Sequence, residues 1–475
     1  MSLGKVTVVQ SSVSIGDPHI CSDSVNRLSI IFNVYDALVR RDDEGYYHPS
    51  LAESWSVDES ARSWMFKLRS GVKFHNGEIL HASDVVATLA RVLDPSIGGA
   101  FGTQGVYSSY LGDAKITAVD DLKVQIVTGE PMADLLDLII AMPISPESCL
   151  DRLPGEYVGS GPYRIAKPGR GRTILGAHEG YWGSPPEIGE IHWIAERSPA
   201  KRVNLLLKGG ADIACGIGLQ GKDTVNASAE SEVATLESGL CIIYMCNAQK
   251  GPCSDRRVRQ ALNYALDMDE IIQEIKKGAA TPLNGYLTPY HFGHNPETPS
   301  YPHDPDKAKT LLAEAGYSDG LRLVADIPSV MPNEAPALSR LMVEQYQKVG
   351  ISMELVEHSD RAAYADMVRD KNIHDACCFD SSPRSTFRVL REKIHSGLKG
   401  PWWQGYTNRE VDTLIEKAQV TVSDTERKGI YRKIYSIVHD DAPWVFLYRP
   451  TNYWGVGSKM KGWNPRSDGT INFIK

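Results

Sequence analysis

An α/β fold in at least two lobes is predicted by three observations on the sequence. The chain has 475 residues, 42% of them hydrophobic, and chains beyond roughly 250–300 residues normally divide into separate cores. In the second half, stretches with helical and with strand periodicity alternate, as they do when helices cover a largely parallel sheet. Between residues 240 and 267 an apolar run of strand length, Leu240-Cys-Ile-Ile-Tyr-Met245, gives way to a helical stripe of Val258, Ala261, Leu262, Ala265 and Leu266. Gly251-Pro252 forbids carrying the strand into the helix, and Ser254 or Asp255 stands at the N-cap position. One structural unit ends at that point and another begins.

In chain order, Lys5 to Gln10 reads as a first strand and Ser24 to Val39 as a helix. Trp64, Phe66 and Leu68 alternate with polar neighbours, which predicts a strand with one face buried. Asn76-Gly77 is a turn, and Ser83 or Asp84 caps a helix that buries Val85, Leu89 and Val92. Strand-like runs flank Asp120-Asp121 between Ala114 and Val127, a hairpin pattern. Arg202 to Gly210 is a helix stopped by glycine, with the strand Ala211 to Ala214 after it. Beyond the junction, Tyr301 to Gly316 reads as a capped helix, Leu321 to Ile327 as a strand, Glu334 to Val349 as a helix and Ile351 to Val356 as a strand. Helices from Tyr406 and from Arg427, and a strand ending near Tyr448, complete that pattern.

A formal net charge of −8, with lysine and arginine scattered along the chain, leaves no electrostatic footprint for nucleic acid. The longest uncharged apolar stretch, Leu138 to Ser145, is far short of the roughly 20 residues that a membrane helix needs. Met1-Ser2-Leu3 has neither a cationic start nor an apolar core, so the expectation is a cytoplasmic protein or one whose leader has been removed. The eight cysteines, at 21, 149, 215, 241, 246, 253, 377 and 378, form no CxxC pair, which excludes a zinc ribbon or a thioredoxin-like motif. Cys246 and Cys253 flank the Gly-Pro turn, and two readings stay open: a short disulfide loop in an oxidising compartment, or small buried hydrophobes like the other cysteines.

The junction segment from Met245 to Asp267 resembles, almost position by position, a signature of the family 5 extracellular solute-binding proteins, the peptide and nickel type receptors of ABC importers. Leu51 to Pro95, Val158 to Ile165, Tyr181 to Ile188, Arg202 to Ala214 and Tyr301 to Tyr317 are similar to further motifs of that family, so the likeness is spread over nearly the whole chain. The resemblance implies a two-lobed periplasmic-binding-protein-like fold of type II, cluster C, with an extra subdomain inserted in the first lobe. It implies a first lobe of residues 1–44 and 159–243, an inserted subdomain at 45–158, a second lobe at 244–450 and a return to the first lobe at 451–475. It also implies a monomeric receptor without cofactor, periplasmic or otherwise extracytoplasmic and in some members membrane-tethered, with an ABC permease as partner.

Three patterns point toward other chemistry. Gly316-Tyr-Ser-Asp-Gly320 is a formal G-x-S-x-G, but a nucleophile elbow needs strand, turn, helix, and here a helix precedes and a strand follows. A serine hydrolase using Ser318 is therefore the disfavoured rival class. Gly216-Ile-Gly-Leu-Gln-Gly221 follows a strand as a dinucleotide fingerprint should, yet the helix expected from Lys222 to Glu230 has almost no apolar stripe. His291, His294 and His303 lie in a loop rich in proline and asparagine and read as solvated loop histidines rather than metal ligands.

Specificity is expected from loops at the lobe interface. Peptide binders of the family carry an aspartate for the ligand's amine in a segment that corresponds here to residues 375–390, where Pro383 and Phe387 fit the frame and Ser382 replaces the aspartate. Asp380 is a candidate for a ligand ammonium, and Arg384 for a carboxylate, because guanidinium offers it a bidentate fork. Two adjacent tryptophans in a loop, Trp402 and Trp403, are costly to expose unless something covers them, so one is expected to stack on the ligand, with lobe-to-lobe packing as the alternative. His19 and Tyr107 are the first-lobe candidates. The implied function is capture of a small polar solute, with a short or modified peptide or amino-acid conjugate first, an oligosaccharide second and a metal chelate third.

Overall fold

The computed structural model describes residues 3–20, 23–97 and 106–473. They form two compact units, 1–236 with 452–475, and 237–451, each built of helices and strands.

In the first unit the strand Leu3–Gln10 runs parallel to Ile188–Ala195 on one side and to Ile213–Cys215 on the other. Arg172–Ala177 and Tyr163–Lys167 extend the sheet antiparallel at one edge. At the other edge, residues 454–456 of the long strand Trp444–Gly457 pair with Ile213–Cys215. A separate antiparallel sheet orders Ala52–Val57, Ser63–Leu68, Lys123–Val127 and Lys115–Asp120, and the helix Ala82–Leu93 packs against it. The expected alternation is observed: Trp64, Phe66 and Leu68 are buried and Lys67 is exposed.

Two local expectations are corrected in this unit. The first helix spans Val25–Val34 and does not reach Val39. The chain leaves the helix at Tyr35 in an extended conformation, and Asp36 lies buried beyond it, accepting hydrogen bonds from Ser160 Oγ at 3.0 Å and Trp182 Nε1 at 2.9 Å. The cap of the 82–93 helix is His81 rather than Ser83 or Asp84. Asp84 is the reciprocal member of that capping box, accepting from His81 N at 2.8 Å.

In the second unit the sheet order is Ile351–His358, Leu321–Pro328, Ala376–Ser381, Cys241–Cys246 and the first half of Trp444–Gly457, with Ala280–Pro282 also paired to that last strand. The three strands at 351, 321 and 376 are mutually parallel where they pair. Cys241–Cys246 is buried on both faces: Ile242, Tyr244 and Cys246 enter one core and Cys241, Ile243 and Met245 the other. That double burial explains the unbroken apolar run. Asp255 caps the helix Arg256–Tyr264 by accepting from Arg257 N, and Val258, Ala261, Leu262, Ala265 and Leu266 are all buried. Cys246 and Cys253 are both free and buried, so the disulfide reading gives way to the buried-hydrophobe one. Cys21 lies outside the described residues.

Candidate functional site

The second unit places its polar side chains at the carboxyl ends of parallel strands, the edge where open α/β sheets bind their ligands. The strand Leu321–Pro328 runs into the tip Ser329-Val330-Met331, where Val330 and Met331 are exposed. Ile351–His358 leads to Asp360, which caps the helix Arg361–Arg369 by accepting from the backbone of Ala362 and Ala363. Ala376–Ser381 carries Asp380 next to its carboxyl end.

Arg361 and Asp380 meet there. Arg361 Nη2 lies 3.5 Å from Asp380 Oδ1, and both side chains are partly exposed. The guanidinium also donates to the Met331 carbonyl at 3.2 Å and lies over the Phe379 ring at 5.0 Å. Lys393 Nζ donates to the Asp380 carbonyl oxygen at 3.4 Å. Its ammonium faces the rings of Phe379 at 5.3 Å and Trp402 at 5.6 Å. Burial pushes the Lys393 pKa down, against the attraction of Glu392 and Asp380. Lys393 belongs to a π-helical turn, Leu390–Ile394, which follows Thr386–Val389; such turns recur at functional sites. Within the same element Arg388 Nε pairs with Glu392 Oε1 at 2.9 Å, both side chains being buried.

Of the residues expected from the sequence, Asp380 is at this edge and half-buried, and Arg384 is half-buried in the loop that follows the strand. Trp402 and Trp403 are only 8% and 7% exposed. Trp402 packs on Phe379 with ring centroids 5.1 Å apart, and Trp403 Nε1 donates to the Tyr406 carbonyl at 2.6 Å. Both indoles thus already have covers within their own unit. The loop that carries them is tied down by Lys371 Nζ, which donates to the carbonyls of Gly400 at 3.0 Å and Pro401 at 2.7 Å. Gly405 closes the loop at φ +97°, and a Cβ there would collide with the backbone and side chain of Gln249. Gly405→Ala is expected to destabilise the protein by about 3 kcal/mol or more through strain and overlap together; an unchanged urea midpoint would show that the loop can relax.

His19 is 1% exposed. Its Nδ1 accepts from Arg91 at 3.1 Å and its Nε2 donates to the Pro143 carbonyl at 3.0 Å, while Arg91 holds Asp17 through both carboxylate oxygens. Tyr107 is buried in the short helix Val106–Leu111, its hydroxyl donating to the Ala141 carbonyl at 3.2 Å; residues 98–105 of the glycine-rich loop lie outside the described residues. The solvated-histidine reading is corrected for His291, which is buried and bonded through Nε2 to the Pro383 carbonyl at 2.8 Å. Sequence reasoning missed Arg361 and Lys393. The first sits at the start of an ordinary amphipathic helix, and the second lies in a run of charges that reads as solvated surface.

The family model described as bacterial extracellular solute-binding proteins, family 5 Middle, matches residues 46–383. The chain is 27% identical over 449 residues to heme-binding protein A of Haemophilus influenzae, covering 87% of this chain and 81% of that protein. It is 26% identical over 484 residues to a glutathione-binding protein of Pectobacterium atrosepticum, covering 98% and 93%. Among solved structures, the periplasmic binding protein DppA of Helicobacter pylori in complex with the peptide STSA is similar at a TM-score of 0.79 and 23% identity, covering 99% and 96%.

Proposed function

Because the chain belongs to the bacterial extracellular solute-binding proteins of family 5, the substrate receptors of ABC importers, we propose that it captures a peptide-like solute and hands it to a membrane permease. The ligand is a short or modified peptide or an amino-acid conjugate. The observation that carries this reading is the Arg361–Asp380 pair at the carboxyl end of parallel strands. A carboxylate and a guanidinium held side by side match the ammonium and carboxylate of an amino-acid derivative, and a zwitterionic guest exchanges that pair for two pairings of its own. Arg384 stands half-buried in the next loop.

Relatives named for glutathione and for heme, and a structural neighbour with bound peptide, support this class of guest. The covered faces of Trp402 and Trp403 set the oligosaccharide reading behind it, since sugar stacking needs an open aromatic face. The metal-chelate reading stays third: among the described residues no group of three or more His, Cys, Asp or Glu side chains is arranged to hold a metal ion. The four-stranded sheet of residues 52–127 supports reading 45–158 as a subdomain inserted in the first lobe. The receptor works as a monomer outside the cytoplasm, with or without a lipid tether, and no covalent chemistry is assigned to it. Ser318 is exposed in a turn between the helix Pro305–Glu314 and the strand Leu321–Pro328, and among the described residues its hydroxyl has no histidine partner.

Native mass spectrometry of the purified protein, followed by release and identification of any retained guest, tests the reading directly. With that guest, Asp380→Ala is expected to cost about 1.5–3 kcal/mol of binding, roughly a tenfold to hundredfold loss of affinity. Calorimetric titration giving the same affinity for wild type and Asp380→Ala would remove Asp380 from the site.

A further inference from the structure

The side chain that the fold explains least is Lys393. It is 3% exposed, and among the described residues its ammonium makes a single hydrogen bond, at 3.4 Å, to the Asp380 carbonyl. An ammonium has three donors, and burying one with so few acceptors costs stability unless paired and hydrogen-bonded. The rings of Phe379 and Trp402 offset part of that cost through their π faces. They accept no proton in the geometry of a hydrogen bond. A methionine of similar volume in this apolar sandwich would be cheaper.

The charges nearest it are of both signs: Glu392 and Asp380 attract it and Arg388 repels it. From Asp380 to Lys393 the chain carries Arg384, Arg388, Arg391 and Lys393 against Asp380 and Glu392, in a protein whose net charge is −8. Arg361 adds a further cation next to Asp380, at 3.5 Å from its carboxylate, which is ion-pair distance but too long for a good hydrogen bond. Four cations against two carboxylates thus stand in the segment that begins near the carboxyl end of one parallel strand, with Arg388 and Glu392 paired to each other.

We propose that Lys393, beside the Arg361–Asp380 pair, forms an oxyanion subsite, so that the solute this receptor takes carries at least one carboxylate or phosphoryl group beyond those of a neutral zwitterionic peptide. The proposal rests on the receptor reading and sharpens it from a polar to an anionic guest. Lys393 supplies the unused donors, Phe379 and Trp402 fix its stem and keep it from folding away, and Asp380 prevents the cations from repelling one another before the guest arrives. The tryptophan expected to stack on the ligand instead acts through the lysine.

The test uses the whole protein and a total small-molecule extract of a bacterial culture, divided on anion-exchange resin into retained and flow-through fractions. Thermal-shift measurements are expected to find the stabilising component in the retained fraction. Phosphatase treatment of that fraction then separates the two sources: loss of the shift assigns a phosphoryl group, persistence a carboxylate. In Lys393→Met the shift given by the retained fraction is expected to fall by more than half, while the melting temperature of the unliganded protein stays equal or rises; a merely structural lysine would give the opposite pattern. Lys393→Arg, which keeps the charge, is expected to retain most of the shift and covers the event that the methionine variant folds poorly. A stabilising component found in the flow-through, or an undiminished shift in Lys393→Met, overturns the anionic subsite and leaves the receptor standing. If neither fraction stabilises the wild-type protein, the receptor reading itself falls, and this inference with it.

Discussion

Replacing Arg259 by methionine is expected to lower the stability of the second unit by about 3–5 kcal/mol. All three of its guanidinium nitrogens donate to backbone carbonyls. Nη1 reaches Cys253 at 2.9 Å and Ser254 at 3.1 Å, Nη2 reaches Asp441 at 2.9 Å, and Nε bridges Asp441 and Ala442 at 3.2 Å each. The side chain is buried, so its loss leaves carbonyls at two helix boundaries without partners and without water. Those boundaries are the turn before Arg256–Tyr264 and the end of Asp424–Asp441, each leading into or out of a core strand. Lysine cannot replace the planar fork and is expected to recover less than half of the loss. For a unit of this size the change corresponds to a fall of roughly 10 °C in melting temperature. A calorimetric midpoint within about 2 °C of wild type would show that the carbonyls find other donors.

Arg259 also marks the limit of what periodicity could read. Val258, Ala261 and Leu262 betray the buried stripe because apolar residues recur at the helical period, and the strand Cys241–Cys246 is legible as an unbroken apolar run. An arginine on the buried side has no such pattern, since it is satisfied by carbonyls far away in sequence. The same holds at the candidate site. Asp380 and Arg384 could be picked out through family resemblance, but Arg361 reaches Asp380 only because the helix Arg361–Arg369 starts beside the end of a neighbouring strand. From the sequence Trp402 reads as a residue to be covered by ligand or by lobe packing; that Phe379 lies against it depends on a contact between a strand and a distant loop. Local caps were read to within a few residues, as His81 in place of Ser83 or Asp84 illustrates.

Acid should weaken the fold well before its carboxylates protonate. Burial lowers the His19 pKa to about 4, the charge of Arg91 acts in the same direction, and Asp17 and the Pro143 carbonyl oppose it only in part. Burial also lowers His75 to about 4, with the neighbouring His178 and Arg164 adding to it and the Gly161 carbonyl opposing. An unfolded histidine titrates near 6.5, so between about pH 6.5 and 4 the unfolded chain binds protons that the folded one refuses. Stability is therefore full above 6.5, declines as the pH falls, and stops declining from this cause below 4. His19 alone accounts for roughly 3 kcal/mol at the acid end of that window. Urea midpoints measured from pH 7 to 4 are expected to fall steadily in the wild type and less steeply in His19→Gln, whose amide keeps one donor and one acceptor. Equal slopes for the two proteins would show that His19 is not the titrating group.

The strand Trp444–Gly457 gives the two units different histories during synthesis. The second unit is one uninterrupted segment, 237–451, whereas the first is closed by residues 452–475. Those last residues supply the antiparallel partner of Ile213–Cys215, and Ile471 and Phe473 exchange hydrogen bonds with Ser29 and Asn33 on the first helix. The part made first is thus completed last. A chain cut after residue 451 would keep the whole segment of the second unit and leave the first one open, with Ile213–Cys215 a bare sheet edge for proteases and chaperones to find.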